Sequence, residues 1–255
     1  MSSNGAAPTI VRKNHGRGHS YTVNGAKLPG ATTVLSKGYP KHLEKWAADK
    51  AAEYAVDNWA ELAEVGTSQK LKRIAEARFA DRDAAAGRGT KVHALASRLA
   101  AGEADVPVPD ELEGHVDAYL AFADDWQPRE VLLEATVANV RWGYCGTLDV
   151  VADMAGERWL LDLKTTRSGI FAESALQLAA YRYAEWVVDA SGVVVPMLPV
   201  DRCAAVWLKG DRTYELTPVD ATPETFRVFL YALEVMRFAE RDDVVLAPLE
   251  VPAHA

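Results

Sequence analysis

The residues best suited to chemistry lie between positions 146 and 181: Gly146-Thr147-Leu148-Asp149, Asp162-Leu163-Lys164-Thr165-Thr166, and Gln177 with Tyr181. Twelve residues separate Asp149 from Asp162. A strand, a tight turn and a returning strand of that length bring the two carboxylates onto neighbouring strands, within reach of one ion. Side chains alternate along a strand, so Asp162 and Lys164 share one face while Leu161 and Leu163 take the other. Two hard oxygen ligands plus water suit Mg²⁺ or Mn²⁺, which keep positions open for a substrate phosphate. An amine on the same face can orient or activate the attacking water. Such a site hydrolyses phosphodiesters. Taken alone, an Asp-x-Lys pair is far more often a salt bridge on a sheet surface, with Asp149 a strand-end residue.

The neighbouring motifs bear on that choice. Gln177 and Tyr181 are four apart in a helical segment and so lie on one face, where they can touch a bound phosphate or base or simply mark the margin of the core. Upstream, Gly89-Thr90-Lys91-Val92-His93 opens another helix. His93 shares a face there with the small residues Ala96 and Ala100, which let another element approach. A neutral imidazole adds a ligand suited to Mn²⁺ or a similar ion, although a lone histidine is more often a surface or hydrogen-bonded core residue.

These side chains need a scaffold. Residues 130–140, 146–153 and 157–164 are expected as three strands of a meander, with turns at Trp142-Gly143 and Ala155-Gly156. A helix over 172–188 follows, then strands near 203–208 and 213–216 and a last helix over 223–240. The first half is helical, with segments over 41–62 and 68–85, a break at Gly87-Arg88-Gly89, and helices to about residue 101 and over 110–126. Over 41–62 the apolar stripe runs through Leu43, Trp46, Ala47, Ala51, Tyr54, Ala55 and Trp59. Residues 1–18 are expected as a flexible basic arm, followed by a hairpin turning at Asn24-Gly25. The fold class is α/β: a mixed central sheet with helices on both faces and a helix-rich N-terminal half.

With 255 residues the chain can bury a sizeable core. Two cysteines, Cys145 and Cys203, are too few for a four-thiolate cluster and fit a reducing cytoplasm. No apolar run has the length of a membrane span. Taken as a total, the net charge of −8 disfavours nucleic acid. It is unevenly spread, however: residues 1–100 carry 16 Lys and Arg against 9 Asp and Glu, a net of +7, and the remainder carries −15. The basic half is either a solvated helical surface or a surface that holds a polyanion.

The order of Gly89 to His93, Glu134 on the first meander strand, Gly146 to Asp149, Asp162 to Thr166 and Gln177 to Tyr181 resembles the RecB-type branch of the PD-(D/E)xK nucleases, phage exonucleases above all. By motif the resemblance covers about residues 87–185, and the segment from His19 to Ala47 extends it over most of the chain. It implies a restriction-endonuclease-like core within one nuclease domain over 19–241. The helical part would span about 41–126, the meander and catalytic core about 130–190, and an extended tail 242–255. It further implies that His93, Asp149 and Asp162, with the Leu163 carbonyl, bind Mg²⁺ or Mn²⁺. Lys164 would position the nucleophilic water, and Gln177, Tyr181 and Thr165 would support the site or contact DNA. Glu134 is a ligand or a cross-strand ion pair, since its role varies among relatives. Several relatives hold an iron–sulfur cluster; this chain has too few cysteines for one.

The expected activity is a metal-dependent exonuclease that degrades linear DNA, single or double stranded, in phage or bacterial recombination. It would act in the host cytoplasm, with a recombination protein as a further partner. Arg88, Lys91 and Arg167 adjoin motif residues and are candidates for phosphate contacts. The alternatives are an endonuclease with the same site and a catalytically silent module that binds DNA or a partner. The silent module would be expected to lack an acidic ligand or the lysine, and both are present.

Overall fold

The computed structural model describes residues 6–15, 18–39, 43–100, 102–103, 105–166 and 169–241, and all of their side chains except those of 43–47 and 78–86. In chain order the elements begin with β1 (Ile10–His15), β2 (Gly18–Val23), β3 (Ala26–Leu28), α1 (Ala31–Gly38), α2 (Leu43–Asp57), α3 (Trp59–Ala63) and α4 (Thr67–Ala100). After a short 3-10 turn come α5 (Glu113–Trp126), β4 (Arg129–Asn139), β5 (Tyr144–Met154), β6 (Glu157–Lys164) and α6 (Glu173–Arg182). The chain continues through β7 (Trp186–Val188), β8 (Val194–Pro196), β9 (Arg202–Leu208), β10 (Tyr214–Pro218) and α7 (Pro223–Ala239).

The seven-stranded sheet has the order β10-β9-β6-β5-β4-β7-β8. Its pairs are antiparallel except β6 with β9, which run parallel, so the sheet is mixed. Alternation along the strands fills two cores. Leu148, Val151 and Leu160 pack with Val34 of α1, Leu178 of α6 and Leu233 of α7. Val150, Leu161 and Leu163 pack on the other face with Val92 and Leu95 of α4 and Phe122 of α5. Helices therefore cover both faces, as an α/β chain of this length requires to bury a central sheet. A separate sheet of β1, β2 and β3 brings Tyr21 and Val23 against Ala138 and Cys145 of β4 and β5.

Several elements differ from the sequence-based expectation. Gly87 and Gly89 do not break the helix, because α4 runs without interruption from Thr67 to Ala100. Two helical glycines cost about 1 kcal/mol each, which continued backbone hydrogen bonding and the burial of Val92, Leu95 and Ala96 offset. The expected arm contains a strand, Ile10–His15, fully paired with β2. The helix expected over 41–62 is divided between α2 and α3, and Trp59 of its expected apolar stripe is 73% exposed. The helix expected to reach 188 ends at Arg182, and Trp186–Val188 instead forms a strand on the edge of β4, consistent with its aromatic and β-branched composition. The tail over 242–255 lies outside the described residues.

Candidate metal centre

The centre sits where the sheet opens. Antiparallel pairing of β5 with β6 stops at Val150 and Leu161, one residue short of the position where Asp149 would face Asp162. Beyond it β6 stays paired with β9 as far as Lys164. In the opening, Asp149 turns its Oδ2 to the backbone N–H of Leu163, which donates at 2.8 Å. A carboxylate thus replaces the missing ladder bond and satisfies a buried donor.

The same place carries a reversal of sheet face. Leu148 and Val150, two residues apart, pack into opposite cores although neighbours at that spacing normally share one. On β4, Leu133 and Ala135 do the same, and Glu134 between them has a left-handed φ of 46°. Such a φ is strained for a residue with a Cβ and recurs at functional positions. This irregularity directs Glu134 and Asp149 together toward α4.

There they meet His93. Its Nδ1 is 3.5 Å from Glu134 Oε1 and 3.5 Å from Asp149 Oδ1, and its Nε2 makes a 2.8 Å hydrogen bond with the Leu163 carbonyl. One ligand atom from each of His93, Glu134 and Asp149 lies within 4.8 Å of the others, so the group could hold a metal ion. Burial disfavours the imidazolium, but Asp149 and Glu134 outweigh it and raise the His93 pKa to about 9. The Asp149 carboxyl is also raised, by burial first and by Asp162 and Glu134, against the lowering effect of His93 and Lys164. Without a cation the cluster retains protons, and a metal would replace them.

Asp162 is 2% exposed. Gln177 Nε2 donates to its Oδ1 at 3.1 Å, while its buried Oδ2 has the Lys164 ammonium at 2.7 Å as an ion pair but no aligned hydrogen-bond donor. Gln177 also accepts from Lys164 Nζ through Oε1 at 3.4 Å, so one amide bridges the carboxylate and the ammonium. Burial opposes the Lys164 charge, yet Asp162 and Asp149 outweigh it and hold its pKa above that of an ordinary lysine. A lysine so held is suited to orienting a water or offsetting negative charge, and unsuited to removing a proton. The imidazole of His93 and the carboxylates of Glu134 and Asp149 form a nitrogen-and-oxygen donor set that could hold a metal ion, with Asp162 and its Lys164 partner alongside.

No protein-family model matches the chain, and no curated protein matches it.

Tyr181 closes the site from below. Its ring lies on Gly146, where a Cβ would overlap it, and its hydroxyl is 3.4 Å from Gln177 Nε2. The glycine of the Gly-Thr-Leu-Asp motif therefore makes room for the tyrosine one helix away. A cleft of about 300 Å³ opens beside the cluster, lined by Gly89, Thr90, His93, Leu163, Lys164, Thr165 and Thr166. Gly89 faces the buried Thr165, whose Oγ1 is 3.5 Å from where a Cβ would stand. Arg88 aims its guanidinium at the Thr165 carbonyl at 3.4 Å, whereas Lys91 sits 3.6 Å from exposed Glu111. Arg167 lies outside the described residues.

Of the residues singled out in the sequence, His93, Glu134, Asp149, Asp162, Leu163, Lys164, Gln177 and Tyr181 come together. Sequence reasoning missed the contact of Tyr21 with Thr147, hydroxyl to hydroxyl at 2.9 Å, which anchors the N-terminal sheet next to Asp149. No local pattern announces a contact across 126 positions, although the alternation of Tyr21 and Val23 marks the face that makes it.

Proposed function

We infer that the protein is a metal-dependent deoxyribonuclease that hydrolyses phosphodiester bonds of linear DNA, acting as an exonuclease. The observation that carries this reading is the Asp162–Lys164–Gln177 arrangement beside His93, Glu134 and Asp149: residues from one helix, three strands and a second helix converge where the β5–β6 ladder opens. The order of motifs resembling RecB-type PD-(D/E)xK nucleases supports it, and the preference for DNA ends and the role in recombination rest on that resemblance. A restriction-endonuclease-like core and a cytoplasmic site of action belong to the same reading. Among the described residues no helix is long and apolar enough to cross a membrane.

In this reading His93, Glu134, Asp149, Asp162 and the Leu163 carbonyl hold Mg²⁺ or Mn²⁺, which supplies charge neutralisation at the phosphate and lowers the pKa of water. The chain's own residues do the rest. Lys164, kept cationic, orients the attacking water and offsets charge on the phosphate. Gln177 fixes both Asp162 and Lys164, so that neither turns away when the cation is exchanged. Gly89 and Thr90 line the cleft with Lys164, and a sugar–phosphate backbone would approach the lysine there. The test is incubation of end-labelled linear and covalently closed circular DNA with Mg²⁺, Mn²⁺ or EDTA. Linear DNA is expected to be degraded with either metal and spared in EDTA. Equal attack on closed circles would point to an endonuclease, and no attack with either metal would remove the reading.

A further inference from the structure

Arg12 stands on the N-terminal sheet that Tyr21 ties to Thr147, and its Nε has no hydrogen-bond partner among the described residues. Antiparallel pairing places it opposite Tyr21 and places Asn14 opposite His19, so Arg12, Tyr21 and His19 share the face that β1 and β2 turn toward the large sheet. Tyr21 is fixed on that face by its hydrogen bond to Thr147, two residues before Asp149. The His19 ring stands edge-on to Tyr21, with centroids 5.0 Å apart. His19 and Tyr21 lie within electrostatic reach of both Arg12 and Glu134. The Arg12 Nε is nevertheless buried with no hydrogen-bond partner among the described residues.

A partly buried arginine with one unmet N–H donor is unfavourable unless its charged end finds an anionic partner. The other cations near the cleft are engaged: Lys164 by Asp162 and Gln177, Lys91 by Glu111, and Arg88 toward the Thr165 carbonyl. A planar guanidinium fork is suited to a ligand that is itself anionic and bidentate, and a phosphate of the substrate strand is such a ligand. The carboxylates repel that strand, so a fixed positive charge at their margin also helps it enter.

We propose that Arg12 is a phosphate-binding residue of this site, gripping a substrate phosphate next to the scissile one, with His19 beside it on the rim. The proposal rests on the deoxyribonuclease reading and deepens it: the N-terminal sheet becomes part of the substrate channel rather than a cover for β4 and β5.

The test measures binding of a short fluorescent linear duplex in Ca²⁺ across a salt series, for the unchanged chain, Arg12→Gln and Arg12→Lys. Thermal midpoints and Mn²⁺ titration are followed in parallel. Arg12→Gln is expected to weaken binding about 10-fold and to reduce the slope of log affinity against log salt by about one, with the thermal midpoint and Mn²⁺ binding unchanged. Arg12→Lys should restore the slope while recovering only part of the affinity, because a point charge replaces the fork. In steady state, Arg12→Gln should raise KM with little change in kcat. Unaltered affinity and slope in Arg12→Gln, in a chain that still degrades linear DNA with Mg²⁺, would overturn the role of Arg12 and leave the nuclease reading standing. Absence of both binding and degradation by the unchanged chain would overturn both.

Discussion

The Asp149 carboxylate performs two tasks with its two oxygens: Oδ2 accepts the Leu163 N–H at 2.8 Å, and Oδ1 lies 3.5 Å from His93 Nδ1. The first task holds β6 beside β5 where regular pairing has ended, and the second presents a charge to the candidate metal site. Structural and chemical roles are therefore combined in one side chain, and substitutions can separate them.

Asp149→Asn keeps an oxygen that can accept the Leu163 N–H, whereas Asp149→Ala leaves that buried donor without a partner. Equilibrium denaturation should show the alanine variant less stable than the asparagine variant by about 1–3 kcal/mol. Both should lose Mn²⁺ affinity in calorimetric titration. Equal stability of the two variants would mean that the Leu163 hydrogen bond contributes nothing.

Glu134 combines a candidate ligand with a left-handed backbone, φ 46°. Glycine adopts that conformation without steric cost, so Glu134→Gly should be more stable than Glu134→Ala by about 1 kcal/mol, the reverse of the usual order within a strand. Urea midpoints of the two variants give the answer directly. An alanine variant as stable as the glycine variant would show that the backbone relaxes once the glutamate is gone.

The protons held by His93 and Asp149 link stability to pH. Both groups have raised pKa values in the folded metal-free protein, that of His93 to about 9, so the folded state binds more protons than the unfolded chain. Stability from such groups is fully present below their unfolded values and is lost as pH rises through their folded values. Thermal midpoints of metal-free protein should therefore fall from pH 6.5 to 9, and His93→Asn should flatten the fall. Mn²⁺ affinity should rise over the same window, because the cation displaces those protons. A midpoint that climbs with pH in EDTA would contradict the assignment.

The meander was the most legible part of the chain. The turn at Ala155-Gly156, both with positive φ, fixes the register of β5 against β6 and so the near-juxtaposition of Asp149 with Asp162. His93 could be named from its place after Gly89, but that it stands on an unbroken helix could not, because glycine is a weak veto when burial elsewhere in the helix outweighs its cost. Trp186–Val188 continued a helical pattern in sequence, and only the edge of β4 drew it into a strand. The opening of the ladder, the φ of Glu134 and the docking of Tyr21, with Arg12 opposite it, on Thr147 depend on contacts between separate strands. Periodicity and spacing carry no information about such contacts.

The central claim is that Asp162 and Lys164 form the working pair of a metal-dependent nuclease. Its most direct test is the rate at which Asp162→Asn and Lys164→Ala degrade end-labelled linear DNA in Mg²⁺, with folding confirmed by circular dichroism. The account predicts a loss of about 10²-fold or more for each folded variant, in the range seen when a positioned catalytic group is removed. Full activity in either folded variant would contradict it.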